Sequence, residues 1–292
     1  MERSEMRTVD LRNFAVQRHN IYLARKAGKS KPWTTDTILQ SYRFCNVYRE
    51  LDTVTKWISD HWRTPKTDDP NLFFAMTIAR LVNWPETMEE LGYPLKWNPA
   101  QFVKIMQARR ARGDKTFSGA YIVSTNGHAM DKAEYLAQYV LDPLWAARKD
   151  MTPRGGKRVD DAESLSSYHR RLMRFDGLGS FIAGQVIADV KYAEGSPLFN
   201  APDWHSWAAS GPGSRRGLNR VMGYDYDKPW REENWLADHV KLKVDFLKGW
   251  PQKWEPVHAQ DLQNCLCEFD KYERTRLNQG RPRSTYPGRS QL

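Results

Sequence analysis

The sequence predicts a mainly α-helical protein with at most a small β element. About ten stretches repeat their apolar residues with the 3.6-residue period of a helix, against one or two strand candidates. Within residues 165–190, a glycine turn separates two such stretches, as in two helices joined by a tight hairpin. Hydrophobic residues make up 40% of the chain, which is enough to form a core.

The chain has no visible internal repeat, and its 292 residues suffice for one large or two modest domains. We expect one compact unit with two halves. Residues 1–150 form an N-terminal helical half with a candidate pocket-lining helix. Residues 151–292 contain the hairpin, an acidic loop and a basic tail.

The first predicted helix starts with Asp10 as a cap and ends before Gly28. Gly28-Lys29-Ser30 matches the end of a phosphate-binding loop, but that motif needs a glycine where Leu23 stands. The sequence therefore excludes a nucleotide kinase site here.

A second helix is predicted from Thr35 or Asp36 through residue 50. Its polar face carries Asn46, Arg49 and Glu50. This face either lines a pocket or is simply solvated, and the pattern alone leaves both readings open.

The middle of the chain contains a strongly apolar helix over residues 71–82, which we expect in the core. A later helix ends in a basic group, Arg109, Arg110 and Arg112, which is either a solvated terminus or a DNA contact. Residues 117–124 are the best strand candidate, and Pro143 should bend or end the helix that follows. Residues 150–160 read as a flexible basic linker.

The hairpin follows this linker. Its apolar positions share one face of each helix: Leu165, Tyr168, Leu172 and Phe175, then Ile182, Val186, Ile187 and Val190. Gly177-Leu178-Gly179 supplies the φ > 0 turn that residues with a Cβ resist, and Ser180 can cap the second helix. The outward amides at such a helix start bind phosphate. Three arginines precede the turn: Arg170, Arg171 and Arg174.

A single acid, Asp203, follows the hairpin, and His205 lies on the same short element. Residues 210–223 then combine glycines with Ser214, Arg215 and Arg216, a pattern that favours a second anion-binding helix start. Two more helices, over 231–249 and 259–277, precede a basic, extended tail. An ordinary αα-hairpin with Asp203 as a helix cap would explain the hairpin residues without any function.

The formal net charge is +10, which predicts a polyanionic partner, nucleic acid before anionic membrane. No run of eighteen apolar residues could span a bilayer, and the N-terminus lacks an apolar signal core, so we expect a cytoplasmic protein with no membrane partner. Three cysteines, Cys45, Cys265 and Cys267, form no framework and no zinc spacing. We therefore predict no metal site from side chains.

The stretch 172–203 resembles the helix-hairpin-helix signature of the DNA glycosylase superfamily, in which a glycine hairpin grips the DNA backbone and a catalytic acid follows about twenty residues later. The resemblance implies DNA contacts at the hairpin glycines, Ser180 and the three arginines, and a catalytic role for Asp203. The lyase-type members carry a lysine where this chain has Phe181, which argues against strand cleavage. A monovalent cation at the hairpin, found in some members, stays open.

Three longer segments resemble the bacteriophage thymidine-hypermodification proteins known as α-glutamyl/putrescinyl-thymine pyrophosphorylases or amino acid:DNA transferases: residues 32–57, 172–219 and 263–286. The same helical module resembles the helical domain of the 5-hydroxymethyldeoxyuridine DNA kinases. The resemblance implies replacement of pyrophosphate on 5-pyrophosphoryloxymethyluracil, in double-stranded DNA, by an amino acid such as glycine or by a polyamine. It also implies an infected bacterial host.

That chemistry needs a base flipped from the stack, cations for pyrophosphate and a neutral amine. We assign Asp203, His205 and Glu50 to catalysis, with Asp203 either taking a proton or stabilising positive charge. Candidates for binding the substrate are Arg43, Asn46, Arg49, Arg215 and Arg216. Two alternatives stay open: a monofunctional DNA glycosylase, and a non-catalytic DNA-binding module that partners a DNA kinase.

Overall fold

The computed structural model describes residues 3–119, 121, 124–155, 161–282 and 284–286 and confirms the mainly helical class. Within these residues there is no strand, and one isolated antiparallel bridge joins Tyr42 to Thr285. No described helix is long and apolar enough to cross a membrane. The α-helices are α1 (Arg3–Lys26), α2 (Thr37–Ser41), α3 (Thr53–Ile58), α4 (Leu72–Val82), α5 (Pro85–Leu91), α6 (Pro99–Ala111), α7 (Lys132–Tyr135), α8 (Asp142–Ala146), α9 (Arg148–Met151), α10 (Leu165–Leu172), α11 (Ser180–Val190), α12 (Pro212–Met222), α13 (Glu232–Leu247) and α14 (Ala259–Arg276).

Shorter helical turns complete the described chain. Three are 3-10 turns: Arg49–Leu51, Thr64–Lys66 and Pro197–Asn200. Two are π-helical: Ser59–Arg63 and Leu136–Leu141. The second π turn ends at Leu141, and Pro143 is the second residue of α8 and cannot donate a hydrogen bond into the preceding turn. The helical type thus changes just before this proline, and a bend there stays a prediction.

Packing divides the chain into two compact units. Unit 1 comprises Met1–Asp52 with Ala208–Leu292, and unit 2 comprises Thr53–Trp207. In unit 1 the N-terminal helix packs with the C-terminal helices. The boundaries of the two units therefore differ from those of the predicted halves, 1–150 and 151–292. The two halves, which were proposed on functional grounds, stay a prediction.

The core of unit 1 lies among α1, α12, α13 and α14. Its fully buried members include Leu11, Leu218, Trp235, Phe246 and Leu266, which come from all four helices. Burying these large side chains supplies the main driving force for the unit, at about 25 cal/mol per Å² of apolar surface.

Helices α12 and α14 approach each other at a glycine. Gly217 is buried in α12, and a Cβ at this position would collide with the main-chain carbonyl of Leu266 on α14. The two backbones can approach this closely because Gly217 has no side chain. This contact sets the position of α14 on α12.

In unit 2, α4 is buried on every side, as its continuous apolar sequence predicts. Its one arginine, Arg80, makes a two-pronged ion pair with Asp189 of α11, with Nε and Nη2 each 2.6 Å from a carboxylate oxygen. Both side chains are buried, so each charge requires the other. This pair joins α4 to the second helix of the hairpin.

The helix predicted through residue 50 is wrong beyond Ser41. Residues 42–48 are not helical, and their main-chain amides bind elsewhere. The Arg43 amide donates to the Ser284 carbonyl at 2.9 Å, and the Cys45 amide donates to Glu268 Oε2 at 3.1 Å. Tertiary hydrogen bonds have replaced the helical ones, because every buried amide needs one partner and not a particular one.

The strand predicted over 117–124 lies partly outside the described residues, which omit 120, 122 and 123. Its described residues are not in a strand. The linker predicted over 150–160 also lies partly outside the described residues, which omit 156–160.

Replacing Gly217 with alanine should destabilise unit 1. In an ordinary helix interior this change stabilises by about 1 kcal/mol. Here we expect a loss of about 3 kcal/mol, because the Leu266 carbonyl belongs to the backbone and cannot rotate away. Urea unfolding followed by circular dichroism measures the difference.

Gly213→Ala is the matched control on the same helix. Its Cβ would meet the Cys267 sulfur, which can rotate, so the change should cost less than about 1 kcal/mol. Equal effects of the two variants would mean that the backbone contact does not constrain α12.

Candidate functional site

The glycine hairpin is present in unit 2 as α10, a tight turn and α11. Gly177 adopts φ 73°, the left-handed conformation predicted for it. Leu178 is buried, whereas Gly179 is exposed and precedes α11 as its cap, with φ −63°. Ser180 is the first residue of the helix and not its cap, so that detail of the prediction was wrong.

The three hairpin arginines have different environments. Arg170 and Arg174 are exposed, and Arg170 Nη1 donates to Ser166 Oγ at 2.9 Å. Arg171 is buried, pairs with the Glu163 carboxylate and donates to the Asp150 carbonyl. Arg171 therefore holds unit 2 together, which leaves Arg170 and Arg174 as the hairpin cations available to a phosphate.

Asp203 caps α10. Its Oδ1 accepts from the Leu165 amide at 2.7 Å, and its Oδ2 accepts from the Ser166 amide at 3.0 Å. A carboxylate at a helix N-terminus satisfies amides that have no partner within the helix. The capping geometry considered from the sequence is thus realised, and the catalytic role of Asp203 stays a prediction.

The loop around Asp203 is held by a buried lysine. Lys191 Nζ donates to the Trp204 carbonyl at 3.2 Å, and Trp204 Nε1 donates back to the Lys191 carbonyl at 3.0 Å. His205 is exposed, and its ring centroid lies 4.7 Å from that of Trp204. The loop therefore presents His205 at the surface of unit 2.

A second cluster forms in unit 1, where residues 42–52 pack on α1 and α14. Asn46 lies at its centre: Oδ1 accepts from Arg18 Nη2 at 2.6 Å, and Nδ2 donates to the Leu51 carbonyl at 2.8 Å. The Asn46 carbonyl accepts from Asn264 of α14 at 3.0 Å. With both ends of its amide engaged, Asn46 shapes this cluster.

Arg49 and Glu50 lie on the next turn of the same segment. Arg49 is buried, and its main-chain amide donates to Asp261 Oδ1 at 2.9 Å. Its Nη1 lies 3.4 Å from Glu50 Oε1, and the Glu50 side chain is 26% exposed. Of this pair, Glu50 faces solvent.

Asp52 is the most unusual carboxylate of this cluster. Its Oδ1 accepts from the Asn46 amide at 2.8 Å, while Oδ2 accepts no hydrogen bond from any described residue. Burial raises the pKa of Asp52 to about 6, and the charge of Glu268 adds to the rise against the opposing effects of Asn46 and Arg18. Asp52 can therefore exchange a proton near neutral pH.

Glu268 and Lys271, one turn apart on α14, complete the cluster. Glu268 is buried, accepts from the Cys45 amide at 3.1 Å and lies 2.5 Å from Lys271 Nζ. Burial disfavours the charged lysine, but the Glu268 carboxylate outweighs it and raises the pKa of Lys271. The sequence pattern did not single out Asp52, Glu268 or Lys271 as functional residues, because the contacts that desolvate them are distant in the chain.

The two arginines predicted on α12 differ in charge balance. Arg215 is neutralised, with Nη2 2.9 Å from Glu232 Oε2. Arg216 Nε lies 3.1 Å from Asp270, whose fully buried carboxylate also receives Arg220 and Arg274 at 2.9 and 3.4 Å. Three guanidinium groups around one carboxylate leave positive charge, and the side chains of Arg216 and Arg274 are about a third exposed.

Arg43, the remaining predicted cation, is exposed on unit 1. Its guanidinium carbon lies 5.4 Å from the ring centroid of Tyr286. Among the described residues, no group of three or more His, Cys, Asp or Glu side chains could hold a metal ion. A hairpin cation bound by main-chain carbonyls stays a prediction.

Gly177→Ala should destabilise unit 2 by about 1 to 3 kcal/mol. The new Cβ would adopt a left-handed φ of 73° and would lie 2.8 Å from a methyl group of Val140. Thermal unfolding of the purified variants measures this cost. Gly179→Ala is the control in the same turn: nothing lies within 4 Å of its Cβ, so a cost below about 1 kcal/mol is expected. A reversed order of the two variants would contradict the geometry of the turn.

Asp52→Asn should stabilise the protein near pH 7. The folded state binds the Asp52 proton more tightly than the unfolded state, because the pKa rises from 3.8 to about 6. Stability from this group is therefore lost as pH rises from about 4 to 6, at roughly 1.4 kcal/mol per unit. The variant keeps the acceptor for the Asn46 amide, so the gain should reach about 3 kcal/mol at pH 7.

The measurement is urea unfolding of both proteins at pH 4, 5, 6 and 7. The stability difference should nearly vanish at pH 4, where Asp52 is protonated in the folded state. A difference that does not depend on pH would show that Asp52 is not desolvated.

Comparison with known proteins identifies the family. The family described as 5-hmdU DNA kinase, helical domain, matches residues 6–281. A 5-hmdU DNA kinase of Bacillus phage SP10 is 28% identical over 231 residues, which cover 71% of this chain and 35% of the relative. The chain thus spans about a third of that relative's length. No solved structure gives a significant match. On the extent of the family match, this chain belongs to the family of 5-hmdU DNA kinase helical domains.

Proposed function

We propose that this protein acts in bacteriophage DNA hypermodification, as a transferase that replaces pyrophosphate on 5-pyrophosphoryloxymethyluracil in DNA with an amine. The related phage protein is named for its action on 5-hmdU in DNA. Leu23 interrupts the one phosphate-loop candidate of the sequence, so a kinase reaction has no support from the residues of this chain. The observation that carries the proposal is the carboxylate cluster around Asp52.

Asp52 is suited to accept the proton of the amine. The amine nitrogen attacks the 5-methylene carbon, the bond from that carbon to the pyrophosphate oxygen breaks, and pyrophosphate leaves with the electron pair. The nitrogen, now positively charged, loses a proton to Asp52 Oδ2, which has no partner among the described residues. Glu50, half-buried and two residues before Asp52 in the sequence, is proposed to accept a hydrogen bond from the N–H of the neutral amine.

The pyrophosphate needs concentrated positive charge. Arg216, Arg220 and Arg274 provide it around Asp270, whereas Arg215 is already paired with Glu232. Guanidinium groups bind phosphate oxygens in pairs and stay charged at all physiological pH values. We therefore assign Arg216, and not Arg215, to the leaving group.

The DNA backbone is proposed to contact the hairpin of unit 2. The exposed Gly179, Arg170 and Arg174 provide a helix start and two cations there. Two apolar side chains of the hairpin are exposed: Met173, next to Arg174 in the sequence, and Phe181, two residues after Gly179. Such groups can wedge between base pairs. Flipping a base from the stack costs a few kcal/mol, which such a wedge would offset.

A monofunctional DNA glycosylase is the second candidate. The observation that favours it is the carboxylate of Asp203 next to the hairpin, since a carboxylate in that place can stabilise a cationic sugar. In the transferase, Asp203 is proposed to stabilise positive charge on the base. It is less suited to accept a proton than Asp52, because both its oxygens already accept amide hydrogens.

The experiment incubates the protein with DNA that carries 5-pyrophosphoryloxymethyluracil, together with mixed amino acids and polyamines. The DNA is then digested to nucleosides, which are weighed by mass spectrometry. We expect an aminated thymidine from the native protein. Asp52→Asn and Asp203→Asn should each lose turnover by about a hundredfold or more while still binding DNA, because each removes a charge that acts in the transition state.

Asp245→Asn and Asp60→Asn serve as controls, since both carboxylates are surface groups whose ion pairs among the described residues are with Lys248 and Lys56 respectively. Their turnover should be unchanged. Release of free base with formation of abasic DNA would show a glycosylase and contradict the transferase. DNA binding without any product would show a non-catalytic binding module. Full turnover in Asp52→Asn would remove Asp52 from the mechanism.

A further inference from the structure

A small pocket opens on unit 1, beside Arg43. It has a volume of about 250 Å³ and is lined by Lys31, Trp33, Leu39, Gln40 and Tyr286, among others. Pockets for drug-sized ligands usually measure about 300–1,000 Å³, so this one suits a single small ring. Its lining combines two aromatic rings, one aliphatic side chain and one amide, as expected of a site for a planar polar heterocycle.

The two rings that form the pocket are held in place. Trp33 Nε1 donates to the Lys29 carbonyl at 2.7 Å, and the Tyr286 amide donates to the Ser41 carbonyl at 3.1 Å. Their ring centroids are 5.5 Å apart with planes 74° from parallel. A pocket with anchored walls loses little conformational entropy when a ligand binds.

Three cations surround these rings. Arg25 and Lys31 each lie 5.4 to 5.6 Å from both ring centroids, and Arg43 lies 5.4 Å from that of Tyr286. No described carboxylate forms an ion pair with Arg25 or Arg43. Positive charge is therefore concentrated at the rim of an aromatic pocket, which is the combination that binds a base together with its phosphates.

We propose that this pocket holds one unpaired pyrimidine base of DNA, with Arg25, Lys31 and Arg43 on the adjoining phosphates. The inference rests on the proposed DNA substrate and adds to it a place for a single nucleotide. Gln40 and Thr34 add polar side chains to the lining, and they are held in place: Gln40 Nε2 donates to the Thr34 carbonyl at 2.7 Å, and Thr34 Oγ1 donates to Gln17 Oε1 at 3.1 Å. The size of the pocket excludes a stacked base pair.

Photo-crosslinking tests the site directly. A single-stranded oligodeoxynucleotide with one 5-iodouracil is irradiated with the full-length protein, and the crosslinked peptides are mapped by mass spectrometry. We expect the crosslink on the peptide of Trp33 or of Tyr286. Trp33→Leu should abolish the crosslink to its own peptide and weaken DNA binding at least about fivefold, since stacking on one base contributes about 1–3 kcal/mol.

Trp84→Leu is the matched control, because Trp84 also lies under a cation, Lys115 at 3.7 Å, but on unit 2. It should leave both crosslink and affinity unchanged. Arg25→Gln with Arg43→Gln should reduce the slope of log affinity against log salt by about 1.4, or about 0.7 for each lost phosphate contact on a single strand.

Crosslinks confined to other peptides, or equal affinity in Trp33→Leu, would overturn the proposal. The crosslink map of the native protein shows whether the base binds at this pocket even if the Trp33→Leu variant misfolds. Displacement of the crosslink by micromolar thymidine monophosphate would assign the pocket to a free nucleotide and overturn the DNA assignment. The nucleoside assay tests the transferase separately. Crosslinks at Trp33 without an aminated product would support this pocket and reject the transferase. An aminated product without crosslinks at Trp33 or Tyr286 would support the transferase and reject this pocket.

Discussion

The close approach of α12 and α14 at Gly217 is the constraint on which unit 1 depends. Because Gly217 has no side chain, the Leu266 backbone can lie directly against it. Glu268, Asp270, Lys271 and Arg274 follow Leu266 by two to eight positions, so the same contact sets where these four charged groups of α14 lie. Arg216 is next to Gly217 on α12 and thereby comes within 3.1 Å of Asp270.

The buried carboxylates of this chain differ in how the free-energy cost of their desolvation is compensated. Asp189 and Asp270 are fully buried, and each is compensated by arginines at ion-pair distance. Asp52 has an amide hydrogen bond but forms no ion pair with a described residue, and its pKa rises to about 6. A desolvated group without full compensation lowers stability, and such groups are concentrated at functional sites. This difference is the physical reason for placing the proton acceptor at Asp52.

The hairpin was predictable in outline but not in the roles of its residues. The left-handed turn at Gly177 follows from local backbone sterics, and the structure confirms it. By contrast, Arg170 and Arg171 are adjacent in sequence, yet one is exposed and the other is buried against Glu163. Local sequence contains no information on which arginine meets a buried acid, so the exposure of Arg170 and Arg174 became apparent only in the fold.

The sequence by itself determined the helical class, the buried helix α4 and the glycine hairpin, because apolar periodicity and positive φ are properties of short segments. Only the tertiary structure decided that residues 42–48 are not helical and that they bring the Cys45 amide to Glu268. The Cys45 amide and the Glu268 carboxylate that hold this arrangement are 223 residues apart along the chain. Folding brings together atoms that are distant in the sequence. These atoms determine which carboxylate is desolvated and which backbone amide donates to a distant acceptor.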